Sequence, residues 1–235
     1  MAAKKRSTGS ARGAKLGEYR RKRDFSKTKE PAGDLLATAR KQQSPRTKKQ
    51  PKLQFVVQKH AASHLHFDFR LELDGVMKSW AVPKGPSYDP TVRRLAMEVE
   101  DHPIEYNTFE GTIPQGEYGG GTVMLWDRGT YEAEDGGGIE SLRDGYARGD
   151  LKFVLHGQRL EGAWVLVRMK RPGRPQWLLI KHRDEYATSE RDVVDEVTTS
   201  VATGRTMDDI TAGKKARASK TARPTARKKG ARSAS

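Results

Sequence analysis

The run His64-Leu65-His66-Phe67-Asp68-Phe69-Arg70-Leu71-Glu72-Leu73 constrains this chain more than any other stretch. It alternates without a break, with His64, His66, Asp68, Arg70 and Glu72 at one parity and Leu65, Phe67, Phe69, Leu71 and Leu73 at the other. A period of two is the pattern of a β-strand, whose successive side chains leave on opposite faces. One face is therefore a core face. The other sets two imidazoles, a carboxylate and a guanidinium in a row, with same-face neighbours about 6–7 Å apart. Such a row is unfavourable unless a ligand satisfies it. Asp74-Gly75 then supplies a two-residue hairpin turn. Residues 76–82 fold back as the next strand, with Arg70 opposite Ser79 and Asp68 opposite Ala81. Small partners leave the space above the polar row open.

Further strands are expected at residues 55–58, 95–101, 122–126, 151–155, 163–167 and 177–181. In the second of these, Leu95, Met97 and Val99 alternate with Ala96, Glu98 and Glu100, and His102 continues the polar parity. Asp127-Arg128-Gly129 is expected to turn, residues 139–147 to form an amphipathic helix, and Ser189-Glu190-Arg191-Asp192 to open a small helix as a capping box. Gly116-Glu117-Tyr118-Gly119-Gly120-Gly121 has the look of a phosphate cradle, but a strand follows it where a helix is required, so it is a tight backbone crossing. Seven or eight evenly spaced strands with short connections and few helices predict a mainly β protein, a barrel or a strongly curved sheet.

The net charge of +15 is unevenly spread. Residues 1–52 hold 17 Lys/Arg and 4 Asp/Glu, and residues 213–235 hold 9 Lys/Arg and no acid, which leaves 19 and 26 in between. An acidic middle of −7 thus lies between basic ends that suit a polyanion, most commonly nucleic acid. The expected organisation is a disordered basic tail (1–17), an arm and linker packing on the barrel (18–52) with a short helix over 34–43, the barrel domain (53–188), a short helix and linker (189–212) and a disordered Lys/Arg-rich tail (213–235). In the arm, Tyr19 and Phe25 sit among cations, so it either stays loose or folds across the domain and brings Arg23, Asp24 and Glu30 to a site. The absence of cysteine excludes disulfides, thiolate metal sites and a thiol nucleophile. No stretch approaches the ~20 apolar residues of a membrane span, so a cytoplasmic, nucleoid-associated monomer is expected.

His60, His66 and Asp68 form a His-x5-His-x-Asp set. Two imidazoles and a carboxylate suit Mn²⁺, Zn²⁺ or Fe²⁺ with coordination positions left open, while an ion pair within a polar pocket explains His66 and Asp68 equally well. Arg70, Lys84, Arg94 and His102 add cations and a protonatable ring, although Lys84 and Arg94 could equally be solvated surface charges. Metal, cations and histidine together are what hydrolysis of a phosphoester requires.

Several motifs in a fixed order resemble the 3′-phosphoesterase domain of bacterial DNA ligase D and its stand-alone relatives. They are Tyr19-Arg20-Arg21-Lys22-Arg23-Asp24-Phe25, Gln58-Lys59-His60 through Asp74-Gly75, Ser79-Trp80-Ala81-Val82-Pro83-Lys84-Gly85-Pro86-Ser87, Val99-Glu100-Asp101-His102-Pro103, Glu110-Gly111-Thr112-Ile113-Pro114, Gly116-Glu117-Tyr118-Gly119-Gly120-Gly121-Thr122-Val123 and Trp177-Leu178-Leu179-Ile180-Lys181. The resemblance implies an eight-stranded β-barrel with its site in a groove. It also implies two activities at a primer's 3′ end: a phosphodiesterase step that removes a terminal ribonucleoside and a phosphomonoesterase step that leaves a 3′-OH. By the same resemblance His60, His66 and Asp68 hold Mn²⁺, with Zn²⁺ or Co²⁺ as other divalent ions. Arg70, His102 and Tyr106 contact the scissile phosphate, and Lys84, Arg94, Arg23, Asp24, Glu30 and Glu100 match other positions on which activity depends. The implied partners are DNA or RNA-DNA primer-template 3′ ends and a DNA ligase or end-binding repair protein. Glu72-Leu73-Asp74-Gly75 carries glutamate where a ligase motif has its nucleophilic lysine, which excludes adenylyl transfer there. The rival expectation is a non-catalytic accessory protein that binds DNA ends through its basic termini.

Overall fold

The alternating segments fold into nine antiparallel strands: β1 (Leu53–Ala61), β2 (Leu65–Leu73), β3 (Val76–Val82), β4 (Arg94–His102), β5 (Gly111–Ile113), β6 (Gly121–Ala133), β7 (Asp150–Gly157), β8 (Glu161–Arg168) and β9 (Gln176–Lys181). The computed structural model describes residues 14–33 and 52–216. Of the expected tails at 1–17 and 213–235, residues 1–13 and 217–235 lie outside them, as do the expected helix over 34–43 and the linker to residue 51. Hydrogen bonding runs β1-β2-β3-β4-β9-β8-β7-β6, and β6 pairs back onto β1 to close an eight-stranded barrel, with β5 flanking the start of β6. Closure leaves the barrel without an open edge. The mainly β barrel is the fold expected from the sequence.

Among the described residues four short helices accompany it: α1 (Gly17–Arg21), α2 (Gly138–Arg148), α3 (Val193–Glu196) and α4 (Met207–Thr211). Among the described residues none is long and apolar enough to cross a membrane. Phe67, Phe69, Leu71 and Leu73 point into the barrel and pack with Trp80, Trp126, Trp164 and Trp177. Tyr146 of α2 stacks on Trp177, so that helix adds to the same core. The β2–β3 hairpin has the expected register, Arg70 facing Ser79 and Asp68 facing Ala81. Its turn residues have φ of 55° at Asp74 and 79° at Gly75, the left-handed pair that a two-residue hairpin demands.

Two bulges depart from simple alternation. Asp127-Arg128-Gly129 is not a turn. β6 runs through it, and Trp126 is the extra residue, since Val57 faces Asp127 while Gln58 faces Leu125. A bulge bends and twists a strand without ending it. In β4 the register with β3 shifts between Met77 and Ser79, so one added residue lies between Val99 and His102. Glu98 consequently parts from Glu100 and His102: it accepts hydrogen bonds from Tyr146 Oη and Trp177 Nε1, while the other two meet the N-terminal arm.

The crossing at 116–121 is as tight as expected, because a Cβ on Gly121, whose φ is 143°, would lie 2.1 Å from the Ala61 carbonyl oxygen. The cap of α3 is Asp192, not Ser189, and its carboxylate accepts from the Val194 N–H. A true capping box stands at Thr206 and Asp209 on α4. From there the chain is strapped back to the barrel by Glu110, which accepts from Arg205 and Thr203.

Asp127 carries a structural prediction. Its buried carboxylate accepts from the N–H groups of Gln158, Arg159 and Leu160 at 3.0, 3.1 and 2.9 Å, and so holds the β7–β8 turn. Asp127→Ala leaves those donors without an acceptor, at about 1–3 kcal/mol for each that stays buried. We expect a loss of roughly 3 kcal/mol in urea unfolding; a change under about 0.5 kcal/mol would mean that water replaces the carboxylate.

Candidate active site

Because the Phe/Leu parity of β2 fills the barrel, its polar parity must stand on the outer wall. There it is covered by the arm, the 3-10 turn at Ile104–Thr108 and the 114–120 loop. Asp68 is 6% exposed and Arg70 2%, so both ionised groups lie beneath that cover.

The β1–β2 register sets His60 opposite His66. His60 Nδ1 lies 3.3 Å from one oxygen of Asp68, and His66 Nε2 lies 3.7 Å from the other. The three candidate ligand atoms fall within 4.8 Å of one another. Each imidazole turns its outer nitrogen to a backbone carbonyl: His60 Nε2 to Gly119 O and His66 Nδ1 to His64 O, both at 2.9 Å. A carbonyl only accepts, so those nitrogens carry protons, and a neutral ring then directs the lone pair of its inner nitrogen at the carboxylate. Lone pairs converging on an anion repel unless a cation lies among them. Carbonyl support of the outer nitrogen is also the usual way in which a metal-binding histidine is oriented. The donor set therefore fits a divalent metal, and His64, itself exposed, contributes its carbonyl. Burial raises the Asp68 carboxyl, but the Arg70 guanidinium at 3.2 Å leads the influences that outweigh it and hold it well below the usual carboxylate range.

Arg70 is fixed through two of its three nitrogens. Nε donates to Gln58 Oε1 at 3.0 Å and Nη2 faces Asp68. Nη1 is buried and has no hydrogen-bond partner among the described residues. An unsatisfied guanidinium donor costs about 1–3 kcal/mol or more, a cost that a ligand oxygen would remove. Gln58 is itself anchored, since its Nε2 donates to the carbonyls of Tyr106 and Phe109. The Arg70 guanidinium carbon lies 5.0 Å from the centre of the Tyr106 ring.

On the far side of Tyr106 the arm closes the site. Arg23 Nε pairs with Glu30 at 2.8 Å, Nη1 with Glu100 at 3.1 Å, and Nη2 lies 3.2 Å from His102 Nε2. His102 Nδ1 donates to the Glu100 carbonyl at 2.8 Å, so Nε2 is the acceptor for Arg23. Burial, then Arg70 and Arg23, push the His102 pKa well below 6.5, which makes the ring neutral. Both its nitrogens are engaged, and a phosphate contact by His102 requires Arg23 to release Nε2. Tyr106 donates to Glu30, and its pKa is pushed well up by burial and by that carboxylate. Burial raises the Glu100 carboxyl too, but a backbone N–H, Lys22 and Arg23 hold it down overall.

Nine of the expected residues are thus drawn into one continuous network: His60, His66, Asp68, Arg70, Tyr106, His102, Arg23, Glu30 and Glu100. Three share no hydrogen bond or ion pair with that network among the described residues. Asp24 is exposed and caps its own turn through Ser26. Lys84 is exposed in the loop after β3. Arg94 lies at the opposite end of β4 from His102, paired with Asp192 at 3.4 Å. The sequence reading gave no role to Lys22, Tyr118 or Gln58. Lys22 pairs with Glu100 and lies over the Tyr118 ring. Gln58 shares the parity of His60 in β1, so extending the alternation one strand back would have found it.

The family model for the DNA Ligase D 3'-phosphoesterase domain matches residues 58–168, the span from Gln58 that includes seven of those nine residues. The chain belongs to this family. The multifunctional non-homologous end joining protein LigD of Pseudomonas aeruginosa is 48% identical over 195 residues, which is 82% of this chain and 22% of that protein. The LigD of Mycobacterium tuberculosis is 45% identical over 154 residues, 66% of this chain and 18% of the relative. That of Mycolicibacterium smegmatis is 40% identical over 179 residues, 76% of this chain and 22% of the relative. The chain thus spans about a fifth of the length of these relatives. The two arm residues of the network, Arg23 and Glu30, precede the span matched by the family model.

Proposed function

We propose that this chain is a metal-dependent phosphoesterase that heals 3′ ends of DNA in end-joining repair. It removes a terminal ribonucleoside and then the 3′-phosphate, leaving a 3′-OH. The observation that carries this reading is the convergence of His60 Nδ1, His66 Nε2 and the Asp68 carboxylate beside the unpartnered Nη1 of Arg70. A bound Mn²⁺, or Zn²⁺ or Co²⁺ in the same donors, would supply Lewis acidity toward the phosphate and its attacking water. Arg70 Nη1 donates to a non-bridging phosphate oxygen and opposes the charge that develops there. Gln58 keeps the guanidinium aimed. Tyr106 and the neutral His102 border the same space, and His102 becomes a phosphate donor once Arg23 lets go of Nε2 and that nitrogen takes up a proton. The relatives' names place them in non-homologous end joining, and we extend that setting to this chain, with a DNA ligase or end-binding protein as the partner that uses the healed end.

The test is incubation with Mn²⁺ and a labelled primer-template ending in one ribonucleotide. The primer should shorten and acquire a 3′-OH, and His60→Ala should lower the rate by at least about 100-fold. No shortening, or shortening indifferent to His60→Ala, would instead favour the non-catalytic end-binding role.

A further inference from the structure

The acidic middle of the chain contains one stretch of opposite sign. Between β8 and β9, Arg168-Met169-Lys170-Arg171-Pro172-Gly173-Arg174-Pro175 holds four cations and no acid. All four are exposed, and Arg168, Lys170 and Arg171 line, with the exposed Arg148 at the end of α2, an open groove of about 470 Å³. Arg168 is spoken for, since it donates to the Ala147 carbonyl and lies over the Trp177 ring. Arg148, Lys170, Arg171 and Arg174 make no ion pair among the described residues. Asp150, beside the groove in register with Val167, is taken by Lys152 at 3.4 Å.

The loop is also held in shape. Met169 N–H donates to the Gln176 carbonyl across its base, and Pro172 and Pro175 fix φ on either side of Arg174. Gly173, at φ 94°, has nothing within 4 Å of where a Cβ would stand, so the tip projects into open space. Cations on a pre-set turn lose less conformational freedom on binding than cations on a loose tail.

Its position relative to the site follows from the register. Arg70 pairs with Ser79, Ser79 with Val99, and the neighbouring Glu98 N–H donates to the Pro175 carbonyl at 3.0 Å. The hairpin therefore begins three strand spacings from β2 around the barrel wall, about 14 Å. Duplex rises 3.4 Å per base pair, so that distance corresponds to about four base pairs.

We infer that the β8–β9 hairpin with Arg148 grips the phosphate backbone of the duplex about four base pairs behind the 3′ end, as a nucleic-acid surface separate from Arg70. This rests on the end-healing reading above and names the part of the substrate that the hairpin recognises. The full chain carrying Lys170→Ser, Arg171→Ser and Arg174→Ser is compared with wild type by fluorescence anisotropy on a 16-base-pair primer-template, without metal, across 50–200 mM salt. Losing three phosphate contacts should flatten the log–log salt slope by about 2–3 and weaken binding at least tenfold at 50 mM. On a dinucleotide ending in a ribonucleoside, which offers one phosphodiester, kcat/KM should stay within twofold. An unchanged salt slope, or an equal fall in kcat/KM on the dinucleotide, overturns the inference. Failure of the end-healing reading would look different, with wild type binding duplex but yielding no product.

Discussion

Asp68→Asn is expected to eliminate metal-dependent turnover while leaving a folded barrel. The substitution keeps the shape of the side chain but removes the charge on which His60, His66 and Arg70 converge. An amide supplies one neutral oxygen in place of two anionic ones, and its NH₂ group then faces an imidazole or the Arg70 guanidinium. Metal affinity should fall by at least about 100-fold, and turnover with it, because a lost ligand costs more than a lost hydrogen-bond partner of a ligand. Isothermal titration with Mn²⁺ and the primer-trimming rate read the two effects separately. Arg70 would also lose its counter-charge at a position where it is almost fully buried. Breaking a buried ion pair from one side costs about 3–5 kcal/mol. Asp68→Ala should therefore be less stable than Asp68→Asn, which still offers Arg70 a carbonyl oxygen. If Asp68→Asn binds Mn²⁺ and trims primers as wild type does, the three residues are an ion-pair cluster and the metal reading is wrong.

Why β2 was legible and β4 was not can be stated physically. In β2 the alternation, the following Asp-Gly turn and the size of the apolar residues all demand one register, and Asp68 faces Ala81 as that register requires. In β4 the alternation runs on through Glu98, Glu100 and His102, but the added residue shifts the pleat, and no residue type marks where it does so. The same holds at Trp126, where Asp127 and Gly129 have the composition of a turn, but the residues serve a bulge, a turn-capping carboxylate and a close strand approach. At Ser189 and Asp192 two competent caps compete, and burial of Val193 in the core decides for Asp192. The metal-ligand set was visible because two of its members share a strand face. The bridge from Arg23 to Glu100 was not, since it joins residues 77 apart, and only the family resemblance named both ends. Lys84 and Arg94, left open between phosphate contact and surface charge by the residues alone, share no bond with the network among the described residues.

Removing Arg23 should unseat the arm and cut turnover without unfolding the barrel. Its guanidinium is the shared partner of Glu30 and Glu100, whose side chains are 0% and 3% exposed, and it donates to His102 as well. Arg23→Ala would leave Glu30 without its cation and Glu100 with Lys22 alone, an uncompensated burial of about 3–5 kcal/mol. Barrel closure uses none of these bonds, so the cost falls on arm docking. The arm's other attachments include Tyr19, packed against Tyr106, Phe109, Ile113 and Val123, Lys15, paired with Asp74, and Lys27, paired with Glu117. Limited proteolysis should then cleave near Arg20–Lys29 at least tenfold faster, and primer trimming should fall by about 100-fold as Tyr106 and His102 lose their positions. Arg23→Lys, with charge but no fork, should recover only part of both. The wild-type arm should itself loosen in acid. The pKa of His102 is depressed below 6.5 in the docked state, partly by Arg23, so the undocked state, in which Arg23 has left the ring, binds more protons in the range below 6.5. Docking is at full strength above pH 6.5 and weakens as the pH falls through that window. In Arg23→Ala one of the cations that depress the pKa is gone, the His102 pKa moves back toward 6.5, and the pH dependence of cleavage should shrink. Cleavage and trimming that are both unchanged in Arg23→Ala would show that the arm rests on the barrel without positioning the site.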